Sequence, residues 1–213
     1  MSNPLPPNFK LVLTFLLPLA AQAQTNCDLA GRPFTLPHLE AAIATGQLSL
    51  LILAPAAQSP TGADTDRDDG SLPFRIAASL RAQRPSLAID LGTIDNTGLT
   101  LAEALPILAD RLSQRPAALV IWQVGTAEIA RAIPAASLST SLADAIRLIS
   151  ASNADLLLID PDPDPALDSQ PNFQSIEATL AQAASHPGVA LYQQRSRPAA
   201  CVSHGIAHLI THS

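Results

Sequence analysis

Lysine is missing from almost the whole chain: Lys10 is the only one, and beyond it eleven arginines stand against eighteen acidic residues. Nucleic acids and anionic membranes reward clustered cations, so this balance excludes both as expected partners. Past residue 24 no apolar run nears the roughly 18 residues that a membrane-spanning helix needs. Internal repeats and long linkers are absent too. The 213 residues, 47% of them hydrophobic, are enough to bury a sizeable core, and residues 24–213 read as one compact domain.

The first 23 residues stand apart. "MSNPLPPNFK" carries one positive charge, "LVLTFLLPLA" is an apolar core too short to span a bilayer, and Ala21-Gln22-Ala23 is a small-x-small cleavage signal. The pattern predicts a signal peptide over 1–23 and a periplasmic or secreted mature protein; the competing reading is an uncleaved anchor. Cysteine is scarce, with Cys27 near the mature N-terminus and Cys201 near the C-terminus. Export into an oxidising compartment favours a disulfide that closes almost the whole domain. Two separate thiols remain the alternative, because sequence does not show whether the two Cβ atoms meet.

Five short apolar runs fit buried strands: "LSLLILA" (48–54), "SLAIDLG" (86–92), "ALVIWQV" (118–124), "DLLLID" (155–160) and "VALYQQ" (189–194). Their near-continuous hydrophobicity predicts a parallel sheet covered on both faces. Stretches of helical spacing lie between them, namely "PFRIAASLRAQR", "TLAEALPILADRLSQR", "STSLADAIRLISASN" and "SIEATLAQAASH", and a last helical segment covers about 199–212. Alternating strands and helices predict a doubly wound α/β domain, whose ligand site falls on the loops after the strands. Those loops are 55–71, 93–98, 125–134 and 161–171.

The strings in and around these loops carry a resemblance. "VIWQVGTAE", with "SPTG" after the first strand, "SLPFRIAASL" opening the first helix, "LG...NT" after the second strand and "LLLIDP" in the fourth, resembles exported bacterial members of the SGNH (GDSL-type) hydrolases. A Cys followed by Val in the last helix, with a second Cys near the N-terminus, is similar to those members too. The resemblance implies a flavodoxin-like three-layer α/β/α sandwich with a five-stranded parallel sheet, and descent from serine esterases. Such enzymes need a Ser nucleophile, a His base oriented by an Asp, and oxyanion donors from a Gly amide and an Asn side chain.

Set against that pattern, each requirement is altered. Anchoring "AAQSPTG" on Gly62 puts Gln58 at the nucleophile position, and a carboxamide cannot form an acyl-enzyme. Ser59 is one residue on, followed by Pro60, and is either a displaced nucleophile or a turn serine. Aligning "DLGTIDNT" through Gly92 and Thr97 puts Asp95 where the oxyanion Gly belongs; its carboxylate would repel the charge that develops there. Ala127 replaces the Asn donor, and Glu128 keeps a carboxylate at the next position, where an acid in the first turn of a helix caps it. Asp-x-x-His occurs nowhere, so the base and its orienting acid are read as deleted.

Other constellations invite different readings. His204, His208 and His212 recur every four residues, a spacing that suits either metal ligands on one helix face or a polar stripe near a helix C-terminus. "DPDPDPALD" gathers Asp160, Asp162, Asp164 and Asp168 in one loop, which could offer Ca²⁺ hard oxygens, whereas "DTDRDDG" reads as a solvated loop. No cofactor is expected. The leading expectation is an exported SGNH-hydrolase-like protein, impaired or inactive as an enzyme, that binds a glycan, an acyl ester, another small molecule or a protein. One alternative is a residual esterase using Ser59 with a histidine such as His204; another is a metal-binding exported module.

Overall fold

A computed structural model of the chain describes residues 35–55, 71–196 and 201–212. Residues 1–23, read above as a signal peptide, and Cys27, Gln58 and Ser59 lie outside these residues. The described part is a single all-parallel sheet in the order β2-β1-β3-β4-β5, made of β1 (Gln47–Ala54), β2 (Ala88–Asp95), β3 (Leu119–Gln123), β4 (Asp155–Ile159) and β5 (Val189–Tyr192). This is the flavodoxin-like strand order, with the chain reversing direction across the sheet between β1 and β3. The fold class expected from the sequence is therefore the one observed.

The register explains the apolar runs. Leu50, Ile52 and Leu53 of β1 lie beside Leu119, Ile121 and Trp122 of β3, and Trp122 lies beside Leu158 of β4. Every residue of β3 and β4 is buried, because helices cover both faces. On one face α1 (Pro37–Thr45), α2 (Leu72–Gln83) and α8 (Val202–Thr211) contribute Leu39, Ile76, Leu80 and Ile206. On the other, α3 (Leu101–Gln114), α5 (Ala135–Ala151) and α7 (Phe173–Ala183) contribute Leu108, Leu142 and Ile176, with α4 (Thr126–Ala130) and α6 (Pro165–Asp168) as short turns at the rim. Each fully buried Leu or Ile adds about 1.5–3 kcal/mol. No helix among the described residues is long and apolar enough to cross a membrane.

The second strand and the first helix differ most from the sequence reading. The second strand starts later and runs on to Asp95, paired in register with Ala54, because it lies at the sheet edge and reads as an alternating strand instead of a continuous apolar run. Helix α1 has no counterpart in that reading. Its apolar face is weak, and what anchors its start is a tertiary bond: the buried Asp155 carboxylate at the foot of β4 accepts the Leu39 backbone N–H at 2.9 Å. Burial raises the Asp155 pKa, partly offset by that bond.

The last helix seats tightly on β5. Tyr192 Oη donates to the Cys201 carbonyl at 3.3 Å, and a Cβ added at Gly205 would stand 2.5 Å from that hydroxyl and 3.2 Å from two ring carbons. Gly205→Ala is expected to cost about 1–3 kcal/mol through overpacking. Tyr192→Phe in that background should recover part of the loss by removing the nearest atom. Urea unfolding of the wild type and the two variants measures both effects, and an unaltered midpoint for Gly205→Ala would show a looser seat.

Candidate functional site

All five strands point their C-terminal ends to one edge, and the residues there are Ala54, Asp95, Gln123, Ile159 and Tyr192. Doubly wound sheets place ligands at this edge. At its centre is the turn after β3. Gly125 is the N-cap of α4 with φ 108°, and a Cβ on it would meet the Pro161 ring at 2.8 Å. Glycine is required here by backbone conformation and by a close neighbour.

Glu128 is buried and fully occupied. Its carboxylate accepts the Gly125 N–H at 3.1 Å and the Leu101 N–H at 2.5 Å. One side chain thus closes the first turn of α4 and the first amide of α3, two positively polarised helix ends. Ala127 beside it is half-buried and offers only a methyl group. Asn172, just before α7, donates from Nδ2 to the carbonyls of Glu128 (3.2 Å) and Ile133 (3.1 Å), which fixes the chain on the other side of the turn.

On the β2 side, Asp95 is exposed and its carboxylate accepts from the Thr97 N–H at 2.9 Å and the Thr97 hydroxyl at 2.5 Å. The residue after it, Asn96, is buried and donates from Nδ2 to the Gln123 carbonyl at 3.2 Å. Since β1 lies between β2 and β3, this side chain crosses the end of the first strand. Its Oδ1 has no hydrogen-bond partner among the described residues. Below it, Thr100 and Glu103 form the capping box of α3. Arg131 grips both Glu103 oxygens at 2.8 Å and the Gly98 carbonyl at 2.8 Å. The Thr100 backbone N–H, followed by Arg131, lowers the Glu103 pKa to about 2.

The far side of the edge holds the segment in which the resemblance looked for Asp-x-x-His. Between Tyr192 and Cys201 lie eight residues, 193–200, opened by a 3-10 turn at Gln194–Ser196. No Asp-x-x-His falls in this span, which reads QQRSRPAA. Gln194 is buried and bonds to Asp160, just past β4. Its N–H donates to Asp160 Oδ1 at 2.7 Å and its Nε2 to the Asp160 carbonyl. Burial pushes the Asp160 pKa up to about 7. The sequence singled out Asp160 only as one of four loop acids that could offer calcium an oxygen, and no local spacing marks Gln194, 34 residues away, as its partner.

The histidines lie elsewhere. His204 is exposed, and its Nδ1 faces Gln83 Nε2 at 3.5 Å. Gln83 ends α2 only five residues before β2 begins, so this contact lies toward the amino edge of the sheet. Helix α2 spans about 16 Å from its start at the opposite edge. His208 and His212 stack with ring centroids 3.9 Å apart, and His212 Nδ1 contacts the His208 carbonyl at 2.9 Å. The three do not form the ligand set that their spacing allowed: among the described residues no group of three or more His, Cys, Asp or Glu is placed to hold a metal ion. Of the loop acids Asp160, Asp162, Asp164 and Asp168, three carboxylates have other partners: Asp160 accepts the Gln194 N–H, Asp164 caps α6 through the Ala166 N–H at 2.8 Å, and Asp168 pairs with Arg195.

Comparison with known proteins agrees with this architecture. The family model of the non-GDSL lipase-like family matches residues 22–196. Among solved structures, TesA superposes with a TM-score of 0.54 at 21% identity, covering 67% of this chain and 76% of that one. The psychrotrophic esterase EstA from Pseudoalteromonas sp. gives 0.53 at 15% identity, covering 76% and 93%. A variant of Axe2, an acetyl xylan esterase from Geobacillus stearothermophilus, gives 0.54 at 12% identity, covering 70% and 77%. At these identities the likeness is one of fold. No curated protein matches the sequence.

Proposed function

The chain belongs to the non-GDSL lipase-like family, and we propose that on this esterase-type fold it is an exported protein that binds a glycan or acyl ester without hydrolysing it efficiently. The observation that carries the proposal is the fate of Glu128. The carboxylate beside the Gly-Thr turn spends both oxygens on backbone amides, the Ala127 side chain supplies no donor, and the buried Gln194 side chain carries no ionisable group. Acyl transfer needs a nucleophile, a base and oxyanion donors at one place; loss of one oxyanion donor alone costs about 100- to 1000-fold in rate. The choice of ligand follows the acetyl xylan esterase among the structural neighbours.

Export rests on the leader sequence over 1–23. It is accompanied by a proposed Cys27–Cys201 disulfide. Supporting it, Cys201 is fully buried and no described cysteine is free.

The test is hydrolysis of a short-chain aryl acetate by the mature chain from residue 24, beside Ser59→Ala. The expected result is turnover that is absent, or equal in the two proteins. Turnover abolished by Ser59→Ala would overturn the proposal and establish a working esterase.

A further inference from the structure

We propose that the turn from Gln194 to Ser196 is a latch that acid closes and neutral pH loosens, with the Asp160 carboxyl as its catch. The geometry is a two-point hold on the connector between β5 and α8. At the first point, Asp160, only 5% exposed, takes the Gln194 N–H on its side chain and the Gln194 carboxamide on its carbonyl. At the second, the Arg195 guanidinium is caged. It pairs with Asp168 and with Glu177 (Nε to Oε1, 3.4 Å), donates to the Asp162 carbonyl at 3.1 Å, and stacks over Phe173 with its centre 4.6 Å from the ring.

Two charged groups face the catch. Glu177, from α7, opposes ionisation of Asp160; Arg195, from the turn itself, favours it. The Arg195 charge is already shared by Asp168 and Glu177, so it compensates Asp160 weakly. Burial is the larger effect and outweighs the N–H bonds from Gln194 and Arg195, which places the closed-state pKa at about 7 against an ordinary value of 3.8.

Linkage sets the sign. The closed turn holds the Asp160 proton more tightly than an opened turn in which water reaches the carboxyl. Closure is therefore strongest below pH 4 and weakens as pH rises through 7. With those two values the opening equilibrium rises about 50-fold from pH 5 to pH 7 and about twofold more by pH 8. A chain outside the cytoplasm meets the pH of its surroundings directly, and the segment that loosens borders the candidate site.

Hydrogen exchange of the amides at 193–196, corrected for the intrinsic pH dependence of exchange, reads this equilibrium. The expected result is the 50-fold rise in the turn, with no matching rise in the β3 amides, and a flat profile in Asp160→Asn, which keeps the Oδ1 acceptor without the charge. Glu177→Gln, which removes the opposing charge, should move the steep region to lower pH and serves if Asp160→Asn does not fold. A flat wild-type profile, an equal slope in Asp160→Asn, or the same slope throughout β3 would each overturn the latch.

Discussion

Glu128→Ala is expected to lower the unfolding free energy by about 2–6 kcal/mol, because it strands two buried backbone amides at about 1–3 kcal/mol each. The amides belong to Gly125 and Leu101, so one truncation unties the first turn of α4 from the start of α3. Glu128→Gln should recover part of the loss: its single oxygen satisfies one amide, while its NH₂ group points a donor at the other. Trp122, the only tryptophan and almost fully buried, reports the transition in urea. The pair of variants also separates structure from chemistry. If the wild type turns over an aryl acetate at all, a carboxylate that served catalysis would lose that turnover in Glu128→Gln with stability barely altered; one that serves the fold would lose stability and keep it.

Glu128 also marks how far the sequence could be read. Its position in the first turn after an apolar strand announced a helix cap, and Gly125 caps to it as that pattern implies. The second bond, to Leu101, joins residues 27 apart, and no local spacing reveals it. The same division runs through the molecule. Strands β1, β3 and β4 were legible because burial on both faces imposes continuous hydrophobicity, and the strand-helix alternation then narrowed the topology to a doubly wound sheet.

What stayed hidden depends on contacts between distant residues. Helix α1 is held by Asp155 from 116 residues away. Asn96 reaches over β1 to Gln123, whereas its neighbour Asp95 faces solvent. Asp160 looked like one of four equivalent loop acids until burial beside Gln194 set it apart. The histidine stripe shows the limit of local spacing from the other side. Its i, i+4 spacing was real, but a shared helix face does not make the rings converge on one point, and His204 turned to Gln83.

Gly125→Ala is the second large effect, and two separable costs produce it. The residue sits at φ 108° and ψ −27°, where a side chain adds about 1–3 kcal/mol of backbone strain. The new methyl would also stand 2.8 Å and 3.2 Å from two Pro161 ring carbons and 3.4 Å from the Ile176 methyl. A proline ring has no rotamer by which to withdraw, so overpacking adds about 1–3 kcal/mol more. Urea unfolding should therefore show a total loss of about 2–6 kcal/mol. Pro161→Ala in the Gly125→Ala background removes the clash and leaves the strain, so the double variant should be more stable than the additive expectation by the clash share alone. Strict additivity would mean that the ring shifts freely and strain carries the whole cost. Full recovery would mean that the backbone relaxes and packing carries it. Either way the glycine of the Gly-Thr turn is held by geometry, through its φ and through the Pro161 ring beside it.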